Sequence, residues 1–325
     1  MEYTKSEAKA YCRENMKGIW AALTTPFTES GELDEAGMRS YVRTCIDDLK
    51  IDGFFCGGLM GEYWSLTLEE RRRGQQIVCE ESRGSAQVIA HTAHICIDEA
   101  VALSRHAEEV GADYVIMINP IYGARSDDEV YLYFKTICDQ IDIGLSLFNQ
   151  PTSGLALSPE LIERLCDIDN ICCIKNAVRS MPHHTEVRRR VGDRIVVSDP
   201  NEENWLVNLT HMGQQVLMST PVPYLYQVPG YLPMREYTDL ALAGDMAAAS
   251  QRNYGLEAIR AVSHRFFTPG GEGRTTAYRK EWMRLIGLPA GPPRPPVVPL
   301  TEPERKEFHD ALAATGLLDR VAVGV

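Results

Sequence analysis

Lys175 is the residue with the sharpest chemical potential in this chain. It directly follows the apolar run Ile171-Cys172-Cys173-Ile174. If that run is a strand, alternation puts Lys175 on the same face as Cys173. A lysine held in an apolar interior loses hydration. Its ammonium form is disfavoured, and a neutral amine becomes available. Such an amine attacks a ketone and forms a Schiff base. The other uses the pattern allows are a structural pair with Asp199 or a side chain that snorkels to water. A second candidate is the turn Gly58-Leu59-Met60-Gly61-Glu62. Its glycines permit a tight backbone whose amides can converge on a carboxylate or phosphate. A third is His91 with His94, which follow another apolar run. Imidazole titrates near neutrality and serves as acid or base, or else as a hydrogen-bonded loop residue.

These groups need a scaffold, and the hydropathy pattern supplies one. Short apolar runs recur at 18–23, 53–56, 87–90, 113–118, 143–148, 171–174, 194–197 and 215–218. Each suits a strand buried on both faces of a parallel sheet. Amphipathic segments lie between them. Residues 34–49 place Met38, Tyr41, Val42, Cys45 and Ile46 on one helical face, with Asp34 as cap. Thr67-Leu68-Glu69-Glu70 opens the next helix as a capping box. Further helices are expected over 98–110, 127–140, 158–166, 182–191 and 201–212. Eight strands alternating with helices predict an α/β chain, a (β/α)8 TIM barrel. A doubly wound open sheet would usually carry a Gly-rich nucleotide fingerprint, and none is present. The expected plan is an N-terminal extension over 1–17, the barrel over 18–220 and a C-terminal helical region over 221–325. That last region is expected to complete the barrel and pack on it. Its clearest helices are 237–243, 246–262, 275–285 and 302–314. The proline-rich stretch 287–296 reads as an extended connector.

Composition narrows the function classes. Lysine and arginine total 33 against 45 acids, a net charge of −12, which disfavours nucleic acid or an anionic membrane as partner. No apolar run is long enough to span a bilayer, and the first residues are polar rather than leader-like. The nine cysteines are scattered with no C-x-x-C pair, so a zinc ribbon or thioredoxin-type site has no support. Buried free thiols in a reducing, cytoplasmic compartment are expected.

Taken together the motifs resemble the dihydrodipicolinate synthase / N-acetylneuraminate lyase family of class I aldolases, over roughly residues 18–320. The marks are Thr25-Pro26-Phe27, Gly58–Glu62 followed by Ser65-Leu66-Thr67-Leu68-Glu69-Glu70, and Gly111-Ala112-Asp113. Asn119-Pro120-Ile121-Tyr122, Phe148-Asn149-Gln150-Pro151, Ile174-Lys175, Gly287-Leu288 and Arg294-Pro295-Pro296 complete them. The resemblance implies a homotetramer, a dimer of dimers, of TIM barrels. It implies that Lys175 forms a Schiff base with pyruvate or another 2-oxo acid and that the Gly58–Glu62 backbone holds the carboxylate. Leu59, Met60, Phe148, Asn176 and Ser219 are the other residues expected at the substrate. No metal or organic cofactor is expected, because the lysine imine is the electron sink. Tyr122 matches a tyrosine that in the family reaches into a neighbouring subunit's site.

The chain also departs from that pattern. The family usually has a tyrosine where Phe148 stands, and hydroxyl residues where Leu59 and Met60 stand. The arginine used for the aldehyde substrate's carboxylate in dihydrodipicolinate synthesis has no clear counterpart; Thr152 and Ser153 lie nearby. These losses speak against dihydrodipicolinate synthesis itself. An acid–base group contributes ~10²–10⁴-fold, so a rebuilt relay is expected, through Tyr122 and one of His91 or His94, with Tyr63, Asn176 or water as other donors. Leu59, Met60, Trp64 and Phe148 favour an apolar or aromatic substrate portion, unless Trp64 packs at a subunit interface. The expected function is a class I lyase or aldolase with reversible carbon–carbon cleavage or condensation. A hydro-lyase or an arylidene-pyruvate hydratase-aldolase using the same lysine is the alternative, and a weakly catalytic 2-oxo acid binding protein is the third reading.

Overall fold

In the computed structural model the described residues are 2–120, 122–124, 126–220, 222–267 and 271–321. All eight expected strands form, with ends moved by at most two residues: β1 (Gly18–Ala22), β2 (Gly53–Cys56), β3 (Gln87–His91), β4 (Tyr114–Ile118), β5 (Gly144–Asn149), β6 (Ile171–Asn176), β7 (Val196–Ser198) and β8 (Val216–Ser219). They form one sheet in the order β7-β6-β5-β4-β3-β2-β1-β8. From β1 to β7 consecutive strands are paired neighbours and the first lies beside the last, which is the connectivity of a (β/α)8 barrel. Nearly every strand residue is buried, as expected for strands covered on both faces. Strand β7 starts at Val196 rather than Arg194 because the amides of Arg194 and Ile195 still bond the Val191 carbonyl of the preceding helix.

The chain divides into two compact units. The first comprises the residues up to Trp20, Gly53–Phe55 and Gln87–Ser219. It contains helices α1 (Ala8–Asn15), α4 (Ile97–Glu109), α5 (Asp127–Cys138), α6 (Pro159–Leu165), α7 (Met181–Val191) and α8 (Trp205–His211). The N-terminal segment is part of this unit's core. The Tyr3 hydroxyl donates to the Asp113 carbonyl at 2.5 Å and accepts from the Gly144 amide at 2.9 Å. Gly53 is required by Trp20, since a Cβ there would come within 2.3 Å of the indole. Strands β7 and β8 are tied by a side chain. The Ser198 hydroxyl donates to the Val216 carbonyl at 3.1 Å and accepts from the Met218 amide at 3.2 Å.

The second unit comprises Ala21–Asp52, Cys56–Ala86 and the residues from Thr220 onward. It holds α2 (Glu35–Asp47) and α3 (Leu68–Ser82) with α9 (Pro223–Tyr226), α10 (Pro233–Leu242), α11 (Met246–Tyr254), α12 (Glu257–Phe267), α13 (Gly271–Leu285), α14 (Glu302–Ala313) and α15 (Leu317–Val321). Asp34 and Thr67 cap α2 and α3 as expected, the second as a full capping box with Glu70. An aromatic cluster of Phe266, Tyr278, Trp282 and Phe308 packs α12, α13 and α14 together. The single helix expected over 246–262 is two, broken at Gly255-Leu256. Glycine is a poor helix former, and the break lets Leu256 turn fully into the core. Residues 288–294 carry no helix or strand, as expected of the proline-rich connector.

Candidate active site

The apolar run 171–174 folds as β6, and pairing carries the strand on through Asn176. In the parallel ladder Lys175 is level with Phe148 on β5 and with Ser198 on β7, two residues beyond the level of Ser146, Cys173 and Val196. Alternation then sets Cys173 and Lys175 on one face and Ile174 and Asn176 on the other. Lys175 is only 2% exposed. Its Nζ lies 4.8 Å from the centre of the Phe55 ring and 5.0 Å from that of Phe148. The two rings meet edge to face at 5.7 Å. The amine therefore sits against two aromatic walls. They offer quadrupole attraction to a cation but little of what bulk water offers an ammonium.

His91 joins this cluster. It is buried at the end of β3, level with Ile116 of β4, with its ring 6.1 Å from that of Phe55. His94 has a local role. It is half-buried in the loop after β3, where its Nδ1 accepts from the Cys96 amide at 3.1 Å. Tyr122 stands on the surface of the loop after β4, 68% exposed. Ser219 ends β8 and is fully buried. Asn176 faces away from Lys175, and its amide is committed elsewhere. Its Oδ1 accepts from Asn149 Nδ2 at 3.0 Å, and its Nδ2 lies 3.2 Å and 3.3 Å from Nδ1 of His183 and His184.

That amide belongs to a buried polar chain at the ends of β4, β5 and β6. Asn119 donates to Asn149 Oδ1 at 3.1 Å, and Asn149 donates in turn to Asn176. Beyond the histidines, Asp199 lies 3.8 Å from His184 Nε2 and accepts from the side chains of Asn204 and Asn208. Burial pushes the His184 imidazole below its ordinary range, with Asp199 opposing. The sequence reading singled out Asn119, Asn149, Asn176 and Asp199 one by one, but not the chain that joins them or the two histidines in it. Its signal is an asparagine at the end of three apolar strands.

In the second unit, the Gly58–Glu62 segment folds as a tight turn. Amides of Gly61 and Tyr63 bond the Gly58 carbonyl, and Thr25 Oγ1 donates to the Gly61 carbonyl at 2.8 Å. A Cβ at Gly61 would meet Leu23 O and Thr25 Oγ1 at 3.2 Å each, so the position is tight for any other residue. Leu59 and Met60 are half-buried within the turn. Glu62 is left-handed, at φ +55°, and its carboxylate is spoken for. Lys280 Nζ lies 2.9 Å from Oε1, and the Arg294 amide donates to Oε2 at 3.3 Å. Lys280 also donates to the carbonyls of Thr25, Ala290 and Pro292 at 2.9–3.2 Å. Burial pushes the Lys280 amine down to about 8 against the pull of Glu62. Sequence reasoning did not find Lys280, because nothing local marks a lysine inside an ordinary helix.

Among the described residues no group of three or more His, Cys, Asp or Glu could hold a metal ion. All nine cysteines are free thiols, eight of them buried. No helix of the described residues is long and apolar enough to cross a membrane.

Residues 15–315 match the family model of the dihydrodipicolinate synthetase family. The chain belongs to that family. Family membership makes it a class I lyase or aldolase. A relative, the 4-hydroxy-tetrahydrodipicolinate synthase of Methanothrix thermoacetophila, is 27% identical over 91% of this chain and 96% of its own. The N-acetylneuraminate lyase of Clostridium perfringens is 29% identical over 58% of this chain and 65% of its own. Among solved structures, a prophage protein of this family from E. coli K12, in complex with pyruvate, superposes with a TM-score of 0.81 at 25% identity. It covers 93% of this chain and 99% of its own. The expectation that dihydrodipicolinate synthesis is improbable finds no support here, since whole-length relatives of this family member are named 4-hydroxy-tetrahydrodipicolinate synthase.

Proposed function

We propose that the protein is a Schiff-base lyase acting on a pyruvate-type 2-oxo acid, with Lys175 as the nucleophile. The observation that carries this is the Lys175 amine, buried at the end of β6 between the rings of Phe55 and Phe148. Desolvation favours the neutral amine, which adds to the C2 ketone. Water leaves, and the resulting iminium accepts the electron pair of a bond at C3. Cleavage gives an enamine and an aldehyde; condensation is the reverse. The imine is the electron sink, so the reaction as proposed needs neither metal nor organic cofactor. Phe148 has no hydroxyl to carry protons, and the buried His91 is our choice for that work, ahead of the half-buried His94. The exposure of Tyr122 supports a homotetramer in which it serves a neighbouring subunit. The buried free thiols suit a cytoplasmic enzyme.

The aromatic walls favour a second reading of the same site. Phe55 and Phe148 offer flat apolar surface beside the amine, which suits the aryl group of an arylidene pyruvate better than a polyhydroxylated chain. Such a hydratase-aldolase, or a simple hydro-lyase, would use the same imine.

The test is borohydride reduction in the presence of a panel of 2-oxo acids, followed by peptide mass analysis. The expected result is an adduct on Lys175 with pyruvate, absent in a folded Lys175→Ala variant. An adduct on another lysine, or turnover that survives Lys175→Ala, would refute it. Product analysis separates the readings, because loss of water preserves the carbon count and cleavage does not.

A further inference from the structure

The buried chain behind β6 has a fixed direction that can be read from its ends. The Leu157 backbone settles the first link. Its amide donates to Asn149 Oδ1 at 2.9 Å and its carbonyl accepts from Asn149 Nδ2 at 3.2 Å, so the Asn149 amide has one orientation only. Asn149 Nδ2 then requires Oδ1 of Asn176. That leaves the Asn176 Nδ2, with its two hydrogens, facing Nδ1 of His183 and Nδ1 of His184. Both ring atoms must accept. The far ends agree independently. His183 Nε2 is 3.1 Å from the Leu157 carbonyl and His184 Nε2 is 2.8 Å from the Val178 carbonyl. Carbonyls only accept, so each Nε2 carries the hydrogen. The bonding pattern thus assigns the hydrogen to Nε2 in both rings, and Asn176 is saturated by partners from β5 and α7.

We infer that Asn176 is a positioning residue: clamped between Asn149 and two neutral imidazoles, it fixes the end of β6 and thereby the direction of Lys175, and protonation of either imidazole opens the clamp. This rests on the reading of Lys175 as nucleophile. Protonation would set an Nδ1–H against an Asn176 N–H, replacing a hydrogen bond with a repulsion in a buried site. Asp199 approaches His184 Nε2 at 3.8 Å from the end of β7, and favours protonation. Arg188, on α7 itself, opposes it while donating to the Val197 carbonyl at 2.7 Å. From α6, Glu160 and Glu163 are taken up by Arg190. Burial outweighs the pull of Asp199 and keeps His184 neutral at ordinary pH. A displacement of about 1 Å at a nucleophile can cost on the order of 100-fold in rate, so a loosened strand end is enough to matter.

The experiment pairs long-range ¹H–¹⁵N spectra of the histidine rings with the rate of borohydride-trapped adduct formation from pyruvate, both against pH. In the wild type, His183 and His184 should be Nε2–H tautomers at pH 8, and trapping should fall as either becomes protonated. Asn176→Ala should slow trapping roughly 10- to 100-fold at pH 8 and lose that acid limb, with the adduct still on Lys175. A neutral Nδ1–H tautomer in either ring would overturn the inference. So would a folded Asn176→Ala that traps at the wild-type rate with the wild-type pH profile. If Asn176→Ala does not fold, the wild-type comparison decides: an acid limb more than one pH unit from both imidazole titrations overturns it. A wild type that traps no 2-oxo acid at all overturns the reading of Lys175, whereas trapping indifferent to Asn176 overturns the positioning role alone.

Discussion

Removing the Lys280 ammonium tests how the left-handed turn at Glu62 is held. A non-glycine residue at φ +55° costs about 1–3 kcal/mol, which its surroundings must offset. The offset is a buried ion pair, with the side chains of Lys280 and Glu62 at 2% and 0% exposure and 2.9 Å between charges. In Lys280→Met the stem is kept and the charge lost. The Glu62 carboxylate then keeps a single backbone donor, Arg294 at 3.3 Å, and the carbonyls of Thr25, Ala290 and Pro292 lose the Lys280 ammonium, Ala290 keeping the Phe27 amide at 3.1 Å. Breaking one side of a buried pair typically costs ~3–5 kcal/mol. With an unfolding entropy of about 2.1 cal/mol/K per residue over this length, that corresponds to a fall in Tm of roughly 4–7 °C. Calorimetry at pH 7 measures it. Glu62→Gln combined with Lys280→Met should be less destabilised than the sum of the single variants, because the amide no longer strands a charge. A drop below about 1 °C in Lys280→Met, or strict additivity in the double variant, would refute the reasoning.

Three further outcomes follow from the geometry. Phe148→Tyr introduces a hydroxyl beside Lys175 and should change the rate of proton-transfer steps by ~10-fold or more, read as a solvent isotope effect on turnover; an unchanged profile would mean the ring edge does not reach the reacting atoms. Ser198→Ala leaves the Val216 carbonyl and the Met218 amide without the hydroxyl that joins β7 to β8 and should cost ~1–3 kcal/mol by urea unfolding. Asp113, whose carboxylate accepts from the Val88 amide at 2.7 Å, is pushed up to about 6 by burial from an ordinary value of 3.8. The folded state therefore binds more protons than the unfolded one across that window, and this group's contribution falls as pH rises through it. Asp113→Asn should gain on the wild type by roughly 1–3 kcal/mol between pH 4 and pH 7 in paired urea titrations; a constant difference would contradict the assignment.

What the sequence disclosed and what it hid divide along a physical line. Lys175 was legible because five consecutive residues carry the whole signal: a short apolar run and the alternation of a strand decide which way the amine points. The eight strands were legible for the same reason. Their ends were not, because an end is set by a neighbour. Strand β6 continues to Asn176 since Asn149 on β5 is there to pair with it, and nothing in the run 171–174 says so. The same limit hides the side-chain partners. Asn176 and Glu62 are expected at the substrate, and their buried amide and carboxylate also have protein partners that no local pattern marks. Asn176 bonds His183 and His184, which read in sequence as an unremarkable first turn of a helix, and Glu62 forms an ion pair with Lys280 from a helix near the other end of the chain.

The two cases share a consequence for how a site of this kind diverges. A residue that meets only substrate can change alone when the substrate changes, and on the proposed reading Phe148 is such a residue. A residue inside a saturated network cannot, because each replacement strands a partner in a dry interior. Asn176 is bound on both sides by groups whose orientation the Leu157 and Val178 backbones dictate. A change there needs compensating changes at His183 and His184 together. The chemistry around Lys175 is therefore free to vary on the face lined by Phe55, His91 and Phe148, while the opposite face of the same strand is held fixed. Substrate range should accordingly respond to substitutions at residues 55, 91 and 148, and reactivity of the amine itself to substitutions at 149 and 176.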